Sequence, residues 1–81
     1  MDKKRRERIL NYVKDIYLRM FKLRDLKRSK DEQLLFHQYM GFKAGIYMAH
    51  PHGKWEQAFN KLYKEAETEY KNLKEQSNHE N

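Results

Sequence analysis

His50 and His52 flank Pro51, and these histidines are the side chains of this sequence best suited to binding a metal ion. His52 and Glu56 are four residues apart, a spacing that places two ligands on one face of a helix. A metal site needs more ligands than this pair, and the sequence has no cysteine to complete the set. We therefore expect neither a metal site nor a cofactor.

Nucleophiles and paired acids are the other groups that could support catalysis. Ser29 has the position of a helix cap, and Thr68 falls on the polar face of a predicted helix. Glu65 and Glu69 are four residues apart, but two carboxylates divide acid and base roles only where a pocket raises the pKa of one of them. A short helical chain offers little concavity for such a pocket. We expect no enzymatic activity and no small-molecule substrate.

Positive charge is concentrated at the start of the chain. Residues 1–30 contain twelve lysines and arginines against four acids, a net charge of +8, whereas residues 31–81 contain six against eight, a net charge of −2. The basic residues form two clusters, which lie about 25 to 35 Å apart on a continuous helix. They are Lys3, Lys4, Arg5, Arg6 and Arg8 in the first cluster, and Arg19, Lys22, Arg24, Lys27, Arg28 and Lys30 in the second.

These clusters could bind the phosphates of a nucleic acid, which requires positive charge but no base recognition. The alternative is a solvated helix face, because acids are interspersed among the basic residues. A helix-turn-helix centred on Gly53 is disfavoured, since the segment before the turn is longer and more apolar than the first helix of that motif. Nucleic-acid binding by the basic first helix and its exit loop is thus the alternative function.

The segment from Leu34 to Ala49 has almost no polar side when it is wound as a helix. Such a helix must be buried on every side, and only two other helices are available to cover it. Small residues allow close helix approach, and aromatic residues and methionine are enriched in interface cores. The predicted protein interface comprises Phe36, Met40, Gly41, Ala44, Gly45, Tyr47 and Met48. In the alternative interpretation, another helix of the same chain covers the small residues.

Three helical segments are predicted by the apolar periodicity, at about residues 3–26, 30–49 and 54–75. Ser29 and Glu32 have the spacing of a capping box, which would start the second helix at about Lys30. Pro51 and Gly53 end that helix, because proline restricts the residue before it and glycine tolerates left-handed conformations. The third helix carries an apolar face with Trp55, Phe59 and Leu62 as predicted core.

The predicted fold is therefore all-α, a three-helix bundle formed by a single helical domain at residues 1–76. Its basic N-terminus is expected to fray. Residues 77–81 have neither apolar side chains nor a periodic pattern, and we expect them to form a disordered tail.

Composition limits the core and the compartment. A mass of 10.1 kDa with 38% apolar residues supports one modest core, which oligomerisation would reinforce. The absence of cysteine and of a signal-like segment favours a cytoplasmic location, and no apolar run is long enough to predict a membrane span. We expect a small regulatory or accessory protein whose partner is a second copy, as a homodimer, or another protein, and no membrane partner.

Overall fold

Three α-helices make up the computed structural model, which describes the backbone of residues 2–79 and the side chains of residues 2–76. They are α1 (Lys3–Asp25), α2 (Ser29–Ala49) and α3 (Trp55–His79), and the described residues include no strand. The predicted all-α, three-helix architecture is confirmed. Helix α3 ends four residues beyond the predicted position, within the segment predicted as a tail. The rest of that prediction, Glu80 and Asn81, lies outside the described residues, as does Met1.

The basic N-terminus is helical from Lys3 instead of frayed. Asp2 is the N-cap, and its carboxylate accepts a hydrogen bond from the backbone amide of Lys4 at 3.2 Å. A carboxylate at this position pairs with an amide that has no partner within the helix, and it also interacts favourably with the helix dipole. One aspartate is therefore enough to start the helix before the run of basic residues.

The predicted capping box at the start of α2 is wrong. Ser29 is already helical, and Arg28 occupies the cap position without a side-chain hydrogen bond to the helix. Glu32, which was expected to return to the cap, accepts a hydrogen bond from Nε of Arg24 at 2.9 Å. The long-range ion pair with α1 has replaced the local one.

Helix α1 lies between the other two helices. Helix α2 runs antiparallel to it, as the contact between Tyr17 and Tyr39 and the pair formed by Arg24 and Glu32 show. Helix α3 runs parallel to α1, since Tyr70 bonds to Asp25 near the ends of both helices. Helices α2 and α3 contact each other much less than either contacts α1.

The core is built mainly from α1 and α3. Trp55, Phe59 and Leu62 are buried as predicted, with Phe59 only 2% exposed. Helix α2 contributes Tyr39 alone to the buried set. The buried hydrophobic residues are Val13, Ile16, Tyr17, Met20, Phe21, Tyr39, Trp55, Phe59, Leu62 and Ala66.

The expectation that α2 is buried on every side of the monomer is wrong. Its inner face, with Leu35, Phe42 and Ile46 beside Tyr39, packs against the core. The opposite side is exposed, because α1 covers only one face of α2 and α3 lies on the other side of α1. A three-helix chain of this length has no further element to cover it.

Gly53 is required by close packing and not by a left-handed backbone, since no glycine in the described residues has a positive φ. A Cβ atom at Gly53 would lie 2.2 Å from Nε1 of Trp55. The left-handed residue of this turn is Lys54, with φ of 54°. The turn also anchors α1, because Nη1 of Arg6 donates a hydrogen bond to the carbonyl oxygen of Gly53 at 2.8 Å.

Candidate protein interaction surface

The side of α2 that points away from the core is an exposed, uncharged surface, which we call the outer face of α2. Phe36 and Met40 are 44% and 43% exposed, and Met48 is 84% exposed. Leu34, 62% exposed, lies at its edge. Monomers rarely expose contiguous apolar patches of more than a few hundred Å² without a function for them. The outer face comprises Phe36, His37, Met40, Gly41, Ala44, Gly45 and Met48.

The small residues of this face are open to solvent. A Cβ atom added to Gly41 or Gly45 would meet no atom within 4 Å, and Ala44 is exposed. The alternative interpretation, in which another helix of the chain packs on the small residues, is therefore wrong. The glycines serve no packing purpose within the described part of the monomer.

Tyr47, the remaining residue predicted at the interface, lies between α2 and α3. Its ring stacks on Phe59 with centroids 6.1 Å apart and an interplanar angle of 12°. Its hydroxyl oxygen is buried and has no hydrogen-bond partner among the described residues. Lys43, the only charged residue between Gln33 and Ala49, lies with Nζ 5.6 Å from the centroid of this ring and 5.8 Å from that of Tyr39. The charge is thus directed away from the outer face.

Two further tyrosines form a buried pair that holds α2 to α1. The hydroxyl oxygens of Tyr17 and Tyr39 are 2.6 Å apart, and both residues are buried. Burial raises the pKa of the Tyr17 hydroxyl far above its ordinary value, and the hydrogen bond with Tyr39 raises it further. The pair is therefore neutral and structural at physiological pH.

Four of the predicted nucleic-acid-binding residues are engaged within the fold. Arg6 lies over the Trp55 ring, with Cζ 4.4 Å from its centroid. The other three form ion pairs on the described surface: Arg19 with Asp15, Arg24 with Glu32, and Arg28 with Asp31. The hydrogen bond with Glu32 also raises the pKa of Arg24. The second basic cluster is thus partly neutralised.

The remaining basic residues of both clusters are exposed and have no acidic partner among the described side chains. Those near the N-terminus are concentrated within two helical turns, whereas those near the second end of α1 are separated by the ion pairs. They are Lys3, Lys4, Arg5 and Arg8 at the start, and Lys22, Lys27 and Lys30 at the far end.

Sequence reasoning missed the contacts that join the ends of α1 and α3. At one end lies the contact of Arg6 with the turn; at the other, Tyr70 donates to Oδ2 of Asp25 at 2.6 Å and Lys74 lies 3.0 Å from the same oxygen. These bonds lower the pKa of Asp25, and the bond to Asp25 raises the pKa of Tyr70 to about 12. The partners are 45 and 49 positions apart in sequence, so no local spacing indicates them.

The groups considered for catalysis and metal binding have structural partners or none. Glu69 forms an ion pair with Lys14 of α1. His50 accepts a hydrogen bond at its carbonyl oxygen from Nε1 of Trp55 at 3.0 Å, and the side chain of His52 is exposed. Within the described residues, no three histidine, aspartate or glutamate side chains are grouped to hold a metal ion.

None of the helices between residues 2 and 79 combines the length and the hydropathy needed to cross a membrane. Comparison with known proteins gives no further guide to the surface: no protein-family model, curated protein or solved structure matches this chain.

Proposed function

We propose that this chain is a small, non-enzymatic regulatory or accessory protein of the cytoplasm that acts by protein–protein contact and self-associates through the outer face of α2. The exposure of Phe36, Met40 and Met48 on one uncharged helix face carries the proposal. Charged residues make up 37% of the chain, yet none occurs on this face. Depletion of charge with enrichment of aromatic residues and methionine is the composition of an interface core.

The size of this face sets the expected strength of association. Fully burying an exposed leucine, phenylalanine or methionine contributes about 1.5 to 3 kcal/mol, and Phe36 and Met40 are already half covered. One helix face is also smaller than the roughly 800 Å² that each partner buries in a typical stable complex. We therefore expect a dimer with a dissociation constant no tighter than the micromolar range.

The test is the mass of the purified protein by light scattering or sedimentation at high micromolar concentration. Met40→Glu places a charge in the centre of the outer face and should shift the mass to that of a monomer. Leu73→Glu is the matched control, since Leu73 is 51% exposed on α3 and should leave the dimer intact. A wild-type protein that is folded but strictly monomeric at this concentration would overturn the proposal.

Gly45→Leu separates assembly from folding. Gly45 has open space where a side chain would begin, so leucine should fit in the monomer and improve helix propensity. Any change should therefore appear in the dimer mass and not as a loss of helical circular dichroism.

A further inference from the structure

Bulky and small side chains are unevenly distributed along the outer face of α2. Phe36 and Met40 occupy its N-terminal half. Gly41, Ala44 and Gly45 follow, and they leave a shallow depression because two of them have no side chain. The surface therefore has a raised part and a low part, one after the other along the helix axis.

Charge decides which kind of partner fits this surface. The outer face presents no charged group, so a charged partner surface would lose hydration without gaining a counter-charge. The rest of the chain carries a net charge of +6, which repels a second copy on the sides where the basic clusters lie. A second copy that approaches through its own outer face brings two uncharged surfaces together and keeps the basic clusters of α1 apart.

We infer that the partner is a second copy whose α2 runs antiparallel to the first, with the two-fold axis between Met40 and Ala44. This inference rests on the proposed function. In that register Met40 packs over Ala44 of the second copy, and Phe36 packs beside Met48 of the second copy. A parallel arrangement would instead place Phe36 against Phe36 and leave facing small residues with a void between them, which forfeits packing energy.

The absence of native cysteines allows this register to be measured by disulfide cross-linking. Phe36 and Met48 are twelve residues apart, about 18 Å along a helix. Two cysteines form a disulfide only when their Cα atoms lie within about 7 Å. An antiparallel dimer should therefore cross-link a mixture of Phe36→Cys and Met48→Cys chains, while either variant alone should not cross-link. Leu26→Cys, exposed away from α2, is the control for random collision.

A second measurement covers variants that weaken the dimer. A spin label attached to Met48→Cys should broaden the backbone amide signals around Phe36 of an isotope-labelled, unmodified chain. Dimers in which Phe36→Cys links to itself would overturn the antiparallel register and leave the proposed function standing. Dimers that show neither the mixed cross-link nor the broadening would overturn the register and place the contact elsewhere. A monomeric wild-type mass would overturn both.

Discussion

Lys27 adopts a left-handed backbone conformation, with φ of 57°, immediately after α1. The amide of Arg28 donates to the carbonyl oxygen of Leu23 and that of Lys27 to the carbonyl oxygen of Arg24, at 3.0 and 3.1 Å. These two bonds form a Schellman motif, in which the left-handed position usually holds glycine. A lysine there is strained, because its Cβ atom lies close to the following carbonyl oxygen.

Lys27→Gly should therefore raise the free energy of unfolding, by about 0.5 to 1 kcal/mol once the greater freedom of glycine in the unfolded chain is included. Lys61→Gly, an exposed substitution inside α3, should lower it by about 1 kcal/mol. Urea denaturation of both variants measures the difference. If the two substitutions destabilise equally, the left-handed conformation of Lys27 carries no strain.

Tyr47 and Tyr39 give opposite predictions for the same substitution. Tyr47→Phe removes a buried hydroxyl that lacks a partner, so stability should be unchanged or raised by about 1 kcal/mol. Tyr39→Phe leaves the buried hydroxyl of Tyr17 without its partner and should cost about 1 to 3 kcal/mol. The midpoints of thermal unfolding compare the two. A lower midpoint for Tyr47→Phe than for Tyr39→Phe would contradict the described hydrogen bonding.

The bond between Tyr70 and Asp25 predicts a loss of stability at alkaline pH. Tyr70 has a pKa of about 12 in the fold and 10.0 as a free side chain. A raised pKa stabilises the fold fully below pH 10.0, and this contribution disappears as the pH rises to about 12. Asp25 acts in the opposite range, because its lowered pKa makes its contribution disappear as the solution is acidified.

Tyr70→Phe should therefore reduce the dependence of unfolding free energy on pH in the alkaline range. Denaturant titrations of wild type and variant at several alkaline pH values measure it, and lysine deprotonation cancels in the comparison. Tyr12→Phe is the control, since the Tyr12 side chain is 54% exposed and makes no side-chain hydrogen bond within the described residues. Parallel pH profiles for wild type and Tyr70→Phe would exclude the Tyr70 bond as the cause.

At the scale of the helices, periodicity predicted the number of elements and most of the core, because α1 and α3 each have one apolar and one polar side. Helix α2 has no such contrast, so its sequence could not show which side faces α1. The outward position of Gly41 and Ala44 became clear only once Tyr39 and Phe42 were seen to pack inward. The cap at Ser29 was mispredicted because Glu32 pairs with a residue of another helix instead of with the local backbone.

The glycines of α2 and of the turn provide a test of this assignment. Gly41→Ala and Gly45→Ala should each raise monomer stability by about 0.5 to 1 kcal/mol, since alanine favours the helix and nothing obstructs its methyl group. Gly53→Ala should lower stability, because the new methyl group would collide with the indole of Trp55. Unfolding must be measured at low protein concentration, where the monomer dominates. A destabilised Gly41→Ala monomer would show that α2 packs differently.

At the scale of the whole molecule, the apolar and the basic surfaces are separate. The outer face of α2 is uncharged, whereas the unpaired basic residues lie on α1 and in the loop that follows it. Nucleic-acid binding stays a prediction, supported by Lys3, Lys4, Arg5 and Arg8, which no described acid neutralises. Because the surfaces do not overlap, substitutions on one should not alter the other directly.

Neutralising Lys4, Arg5 and Arg8 together, as glutamines, distinguishes the two functions. We expect the dimer mass to be unchanged, because charges outside an interface affect the rate of encounter more than the stability of the complex. If the chain instead binds a phosphate backbone, affinity should fall for unrelated duplexes alike, and the salt dependence should flatten by about 0.9 for each phosphate that the variant no longer neutralises. Fluorescence anisotropy with labelled DNA and RNA at several salt concentrations measures both quantities. Glutamine at Arg19, Arg24 and Arg28 provides a control of equal charge, and it should have a smaller effect because these arginines are paired with acids. Tight binding to arbitrary duplex DNA at physiological salt, abolished in the first variant and retained in the second, would make nucleic-acid binding the better account of this chain.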